Sequence, residues 1–408
     1  MMGLSVLVAI AYGLLSLAGC ALAATGHGVF AGALLLLATL ARRGFGTQRW
    51  GPSAFLSLAS GVAIPVAAIF ASGYSASPCL GIDPIWPAFL AAFGATVAIY
   101  SELVFRKATS QGHVSVPFLE TFGYAAAVAV AASCLGLLLL AALALGALLW
   151  VLVTRGQRLL REDRARPRDA LDHRSLGVRE LVERVGDSGD DSFFGVFFGQ
   201  PAALALHFVI RGWRFATPNR ITFASLIAGL GGAAFATFPE GAWAAVVLSN
   251  LRCALDALDG QVARVRSLRS SFGFWFDKVA DAIGWGALYA AVAFRASWYE
   301  GRFGLLIPLV AVTVLYFQGI TLWVSRINSP ASPHGPKGSL NVQRWLKSLL
   351  AIWRVEEPDA YLWLSIALLT DSYGWLLWLL VVATGVRVIA INAARALRAK
   401  GPDLAKQG

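Results

Sequence analysis

Four aspartates within one stretch, each next to apolar sequence, constrain the fold of this chain more than any other feature. Asp256 and Asp259 are three residues apart, and Asp277 and Asp281 are four apart, so each pair shares one face of a helix. Carboxylates at or inside a membrane boundary are costly unless they meet positive charge. Mg²⁺ takes its ligands from a few carboxylates and from substrate phosphates. The sequence therefore predicts two facing helices whose four aspartates hold two divalent ions.

The residues between the aspartates are small at positions where two helices would need to leave room for a ligand. Gly260, Ala263 and Gly273 provide that room. With Arg264 and the aspartates they form the pattern D-x2-D-G-x2-A-R-x8-G-x3-D-x3-D, which the chain matches at every specified position. This pattern resembles the signature of the CDP-alcohol phosphotransferases. A proton or ion relay in a transporter also places carboxylates inside a helical bundle, but it needs no such spacing of glycine and arginine.

Composition indicates a membrane protein. Of the 408 residues, 57% are hydrophobic and 14% are charged, and the mean hydropathy is +0.65. We predict an all-α, polytopic helical membrane protein with about twelve spans, six of them in a C-terminal bundle. The net charge of +11 does not require a nucleic-acid partner, and we expect none, because Lys and Arg gather in cytoplasmic loops and at anionic lipid headgroups.

The N-terminal region, residues 1–154, contains apolar runs that predict about six spans. The run 118–153 would be about 54 Å long as one helix, against a hydrocarbon core of about 30 Å. Both of its ends lead into sequence expected on the inside. We therefore predict that it crosses twice, with a break near Ser133-Cys134-Leu135-Gly136. This region carries no recognisable catalytic motif and resembles no family known to us.

Residues 155–191 separate this region from the motif. They contain nine arginines and nine acidic residues, which predicts a solvated cytoplasmic linker, partly helical over 174–185. The remaining residues, 192–408, form the expected transferase domain. It begins with a Phe-rich amphipathic segment, 192–215, predicted to lie in the membrane interface. The spans predicted after it are 219–238, 242–265, 273–296, 303–325, 359–371 and 374–395.

Arginine placement predicts the orientation of this domain. Arg264, Arg266 and Arg269 mark an inside loop, so all four aspartates should lie at the cytoplasmic ends of their helices. We expect a multi-pass protein of the cell membrane, in a bacterium the inner membrane, with a site that faces the cytoplasm. A homodimer is compatible with the sequence.

The family resemblance covers about residues 192–398. It implies transfer of a substituted phosphate from a CDP-linked donor to an alcohol, with release of CMP. It also implies two Mg²⁺ or Mn²⁺ ions on the aspartates, with Asp281 as the base that removes the acceptor proton. Gly260, Ala263 and Gly273 would form the cytidine cleft, and Arg264 would pair with a phosphate, although a plain positive-inside charge is the alternative.

Thr217-Pro218-Asn219-Arg220-Ile221-Thr222 resembles the P-N-x-x-T entry to the first family helix. This likeness adds Asn219 and Thr222 to the candidate substrate-binding residues. Arg387 is a further candidate, because an arginine about two turns before the end of the last span should face the bundle and bind an anionic group. Snorkelling to the inner headgroups is the alternative explanation.

The substrates stay partly open at this point. We expect CDP-diacylglycerol as donor, because the site lies at the lipid interface, but a soluble CDP-alcohol used with a diacylglycerol acceptor also fits. Glycerol phosphate, inositol and serine all remain candidate acceptors. The segment Asp191-Ser192-Phe193-Phe194 is similar to members of the family that use inositol phosphate. Two other classes of function stay open: a transporter, or a lipid-handling scaffold with an accessory or inactive transferase half.

Overall fold

The structure is a computed structural model that describes residues 27–44, 66–73, 83–109, 117–164, 178–185, 192–300 and 357–373, with a few short pieces outside these ranges. Regular secondary structure in the described residues is helical, and these residues contain no strand. The prediction of an all-α chain is therefore confirmed for this part of the sequence.

The described helices are numbered here in chain order. They are α1 (Gly28–Gly44), α2 (Ile85–Ala108), α3 (Pro117–Ala131), α4 (Ser133–Arg164), α5 (Val178–Val185), α6 (Gln200–Ile210), α7 (Pro218–Ala236), α8 (Ala242–Val265), α9 (Ser271–Glu300) and α10 (Glu357–Thr370). A π-helical turn, Gly195–Gly199, leads into α6, and a 3-10 turn, Pro239–Gly241, separates α7 from α8.

The described residues divide into two compact units. The first holds those up to Thr154 together with Val386, and the second holds those from Arg155 to Val382. Within the first unit, α1 packs against α3 so closely that a Cβ added to Gly32 would lie 2.5 Å from the carbonyl oxygen of Ala127. Small residues of this kind let helix backbones approach each other inside a membrane.

The long apolar run of the first unit is broken between α3 and α4. The break falls at Ala132, directly before the segment at which the sequence predicts one. A Cβ added to Gly136 would lie 2.5 Å from the carbonyl oxygen of Ala129. Residues seven apart in a straight helix are separated by about 10 Å along the axis, so the chain bends sharply here. That the run crosses the membrane twice stays a prediction.

The second unit is organised around α8. This helix packs against α6, α7 and α10, and α7 also packs against α9. The helix bounds lie close to the predicted spans because turn residues end the apolar runs: Pro218 occupies the first turn of α7, where its missing amide is harmless. The spans predicted over 303–325 and 374–395 lie outside the described ranges.

The surface of α7 has small residues inside and large apolar residues outside. Ala228, Gly229, Gly232 and Ala236 are buried, whereas Phe223, Ile227, Leu230 and Phe235 are exposed. In water, such a helix would expose its largest apolar side chains to solvent. In lipid, by contrast, helices associate through their small residues. The pattern on α7 is therefore that of a lipid-facing helix.

Two of the described helical segments, Ile85–Arg106 and Cys134–Asp163, are long and apolar enough to cross a membrane, and Gly195–Ile210 is a shorter apolar segment. The count of twelve spans stays a prediction.

In two places the structure of the linker region differs from the open, solvated segment that the sequence predicts. Helix α4 continues to Arg164, and Asp163 near its end is buried because it binds the start of α9. Helix α5 begins at Val178, and its buried residues Leu181 and Val185 pack against Val265 of α8. The apolar face of α5 thus covers the end of a helix that carries the aspartate motif.

Candidate functional site

Three of the four predicted aspartates come together where α8 and α9 face each other. Carboxylate oxygens of Asp256, Asp259 and Asp277 all lie within 4.8 Å of one another. Asp256 and Asp259 come from the C-terminal half of α8, and Asp277 comes from the second turn of α9. A set of oxygen ligands from a few carboxylates is what Mg²⁺ and Mn²⁺ bind. The residues present therefore fit a divalent metal.

Asp281 lies beside this group and has a different environment. Its Oδ1 is 3.4 Å from Nη2 of Arg252, and its Oδ2 is 2.9 Å from Nζ of Lys278. Lys278 also lies 3.0 Å from Oδ2 of Asp277, so its ammonium group joins the two motif aspartates of α9. Each oxygen of Asp281 therefore faces a cationic side chain.

The start of α7 reaches the same place. The buried hydroxyl of Thr222 donates a hydrogen bond to Oδ2 of Asp259. Asn219 lies next to Gly273, where an added Cβ would be 3.0 Å from its Oδ1. The structure thus brings Thr222 to the aspartate group and Asn219 to the start of α9. Their roles in substrate binding stay predictions.

Arg264 points toward the end of α5. Its Nε donates a hydrogen bond of 2.9 Å to the carbonyl oxygen of Val185, at the end of α5. A Cβ added to Gly260 would lie 3.3 Å from Nη1 of Arg264, so the guanidinium group runs alongside that glycine. Ala263 is half-buried on the same helix. Pairing of Arg264 with a substrate phosphate stays a prediction, and Arg387 lies outside the described residues.

The N-terminal end of α9 is fully capped. Asp163 accepts hydrogen bonds from the amides of Ser271 (3.3 Å) and Phe272 (2.8 Å), and Oγ of Ser270 accepts one from the amide of Gly273 (2.8 Å). Free amides at a helix start commonly bind phosphate. At α9 protein groups already occupy the first three amides, so they are not available to a diphosphate.

Arg252, Lys278 and Asp163 are not among the site residues that the sequence predicts. Arg252 carried a usable signal, because it is a charged residue in an apolar run, four residues before Asp256. The same signal singled out Arg387. Asp163 had no such signal, because its partners lie more than one hundred residues further along the chain.

Comparison with known proteins defines the class of this domain. Residues 215–386 match the family described as CDP-alcohol phosphatidyltransferase. The C-terminal half of the chain therefore contains a CDP-alcohol phosphatidyltransferase domain, as the aspartate motif predicts. This family is membrane-embedded and uses divalent metals.

Individual relatives agree with this assignment. The chain is 30% identical over 129 residues to a CDP-diacylglycerol–serine O-phosphatidyltransferase of Helicobacter pylori, covering 31% of this chain and 51% of that protein. It is 34% identical over 124 residues to a phosphatidylinositol phosphate synthase of Mycolicibacterium smegmatis, covering 30% and 53%. A phosphatidylinositol phosphate synthase of Corynebacterium glutamicum is 43% identical over 79 residues, which is 19% of this chain and 35% of that protein. The chain thus matches about half the length of the first two of these relatives.

Proposed function

We propose that this protein transfers the phosphatidyl group of CDP-diacylglycerol to a polar alcohol, with release of CMP, in phospholipid synthesis. The observation that carries the proposal is the group of three carboxylates within 4.8 Å of one another, inside the segment that matches the family. The names of the relatives support CDP-diacylglycerol as the donor. We place the protein in the bacterial inner membrane with this site on the cytoplasmic side, because the arginines next to the aspartates indicate an inside loop.

In the proposed reaction the acceptor hydroxyl oxygen forms a bond to the phosphatidyl phosphorus. At the same phosphorus, the bond to the bridging oxygen of the diphosphate breaks. CMP leaves with that oxygen and with the electron pair of the broken bond. Asp281 takes the hydroxyl proton. Its position beside the three-carboxylate group supports this role. Arg252 and Lys278 hold the carboxylate from two directions.

Asp256, Asp259 and Asp277 would hold the divalent metal, and we propose two Mg²⁺ or Mn²⁺ ions, with Asp281 as a further ligand. When bound, the ions supply positive charge against the diphosphate and the leaving CMP. Thr222 keeps the carboxylate of Asp259 in place by its hydrogen bond.

We assign the other predicted residues to the substrates. We propose that Gly260, Ala263 and Gly273 form the cytidine cleft, and that Asn219, which lies beside Gly273, also contacts the substrate. Arg264 and Arg387 contact anionic groups of donor or acceptor.

The test is an assay of purified protein in lipid vesicles with CDP-diacylglycerol and a panel of alcohols. The panel contains serine, inositol, inositol phosphate and glycerol phosphate, each with Mg²⁺, with Mn²⁺ and with a chelator. We expect CMP release with at least one acceptor and a loss of that release in the chelator. A separate reaction with CDP-choline and diacylglycerol tests the alternative in which the CDP-linked donor is soluble and the acceptor is the lipid. The proposal is contradicted if no acceptor in the panel gives CMP release. It is also contradicted if CMP release is the same with and without the chelator.

A further inference from the structure

Arg252 is a large side chain that is almost completely buried, with 2% of it exposed. It lies on α8, one turn before Asp256. A charged group in an apolar bundle is costly unless a partner holds it, so an arginine at this position needs a reason. The aspartate motif does not include Arg252.

The surrounding helices are shaped to admit this side chain. A Cβ added to Gly229 of α7 would lie 2.5 Å from Cδ of Arg252, and one added to Gly284 of α9 would lie 2.1 Å from its Nη1. The rings of Trp285 and Tyr361 each lie 5.8 Å from the guanidinium carbon. Two glycines on separate helices therefore make a passage through which Arg252 reaches α9, and two aromatic rings flank its end.

The passage leads to Asp281. Nη2 of Arg252 lies 3.2 Å from the backbone carbonyl oxygen of Asp281 and 3.4 Å from its Oδ1. The guanidinium thus contacts both the backbone and the carboxylate of this residue. Lys278 binds the other carboxylate oxygen at 2.9 Å. Rotation of the carboxylate would break at least one of these contacts, so Arg252 and Lys278 together fix its orientation.

We propose that Arg252 is a positioning residue for the transfer step, which acts by fixing the carboxylate of Asp281 toward the acceptor hydroxyl. This inference rests on the proposed function. A displacement of a reacting group by about 1 Å can lower a rate by about 100-fold. Loss of Arg252 should therefore lower kcat by about 10- to 100-fold and leave the KM for CDP-diacylglycerol within about twofold.

The first test compares Arg252→Gln with Arg252→Lys. The lysine keeps a positive charge near Asp281, so it should retain more of kcat than the glutamine does. Gly284→Ala is a second route to the same defect, because its methyl group takes the place of Nη1 and pushes the guanidinium away while the arginine stays. It keeps the test decisive if Arg252→Gln does not yield folded protein.

A double-mutant cycle separates positioning from simple support of the bundle. If Arg252 acts through Asp281, adding Arg252→Gln to Asp281→Asn should lower kcat by less than about twofold, because the group it positions is already gone. If Arg252 only supports packing, the two losses should multiply.

Arg295→Gln is the matched control. Arg295 is an equally buried arginine on α9, and it binds Asp371 at 2.7 Å and the carbonyl oxygen of Phe238 at 3.1 Å. It lies about 21 Å along the helix from Asp281. We expect Arg295→Gln to lower the thermal unfolding temperature without changing kcat of the folded fraction.

Wild-type CMP release is measured first, because its absence contradicts the proposed function itself. With an active wild type, three results overturn the inference alone. They are an unchanged kcat in folded Arg252→Gln or Gly284→Ala, losses that multiply in the double mutant, and a fall in kcat for Arg295→Gln equal to that for Arg252→Gln.

Discussion

The four motif aspartates have different neighbours, and this difference predicts different effects of the same substitution. Asp256, Asp259 and Asp277 lie within 4.8 Å of one another. An asparagine at any of these positions keeps the size of the side chain but removes a charge that a divalent ion needs. We expect each Asn variant to require at least 10-fold more Mn²⁺ for half-maximal activity, and saturating Mn²⁺ to restore part of the rate. Titration of CMP release with Mn²⁺ measures this directly.

Asp281→Asn should behave differently, because Asp281 is assigned the acceptor proton. Loss of a general base costs about 10²–10⁴-fold in rate. We expect kcat to fall by this amount, CDP-diacylglycerol binding to stay within twofold, and excess Mn²⁺ to have no effect. If the variant instead loses donor binding and recovers with Mn²⁺, Asp281 acts as a metal ligand alone, and the base lies elsewhere.

Thr222 affects the site through one hydrogen bond. Its hydroxyl is buried and donates to the carboxylate of Asp259. Hydrogen bonds to charged groups contribute about 1.5–3 kcal/mol, so Thr222→Val should raise the Mn²⁺ requirement by about 10-fold or more. Thr222→Ser keeps the hydroxyl and is the matched control. An unchanged Mn²⁺ requirement in Thr222→Val, which keeps the methyl group and loses only the hydroxyl, contradicts this role of the hydrogen bond.

At the scale of elements, the side chain of Asp163 links the end of α4 to the start of α9. Asp163 caps the first two amides of α9. Loss of a helix cap costs about 0.5–2 kcal/mol, so Asp163→Ala should lower the free energy of unfolding by about 1–2 kcal/mol. Glu162→Ala is the control, because the neighbouring Glu162 is exposed and pairs with Arg158 on the same helix. Denaturation of detergent-solubilised protein compares the two. Equal losses contradict the capping role.

Helix positions in the second unit could be predicted from the sequence, because apolar length and turn residues are local properties. The predicted span 242–265 coincides with α8, and 219–238 differs from α7 by a residue or two at each end. The carboxylate group could also be predicted, since i, i+3 and i, i+4 spacing fixes a helix face. The contacts of Asp163 with α9 and of Arg264 with Val185 could not, because they join residues about 80 to 110 positions apart. Such contacts depend on tertiary packing, which local patterns do not specify.

At the scale of the whole molecule, arginine placement predicts the orientation in the membrane. Reporter fusions at residues 45, 80, 110, 134 and 170 should read inside, outside, inside, outside and inside. The fusion at 134 is the most informative, because it lies just after the break between α3 and α4. A cytoplasmic signal there means that the run 118–153 does not cross twice.

The central claim is that the aspartate site moves a phosphatidyl group from a CDP-linked lipid to an alcohol. The most direct measurement counts both products in one reaction: CMP, and the phospholipid formed from labelled CDP-diacylglycerol and the accepted alcohol. Wild-type protein should form one phospholipid for each CMP, and Asp281→Asn in the same vesicles should form about 10²–10⁴-fold less of both. Release of CMP without a matching phospholipid, or equal rates in the two proteins, would contradict the account.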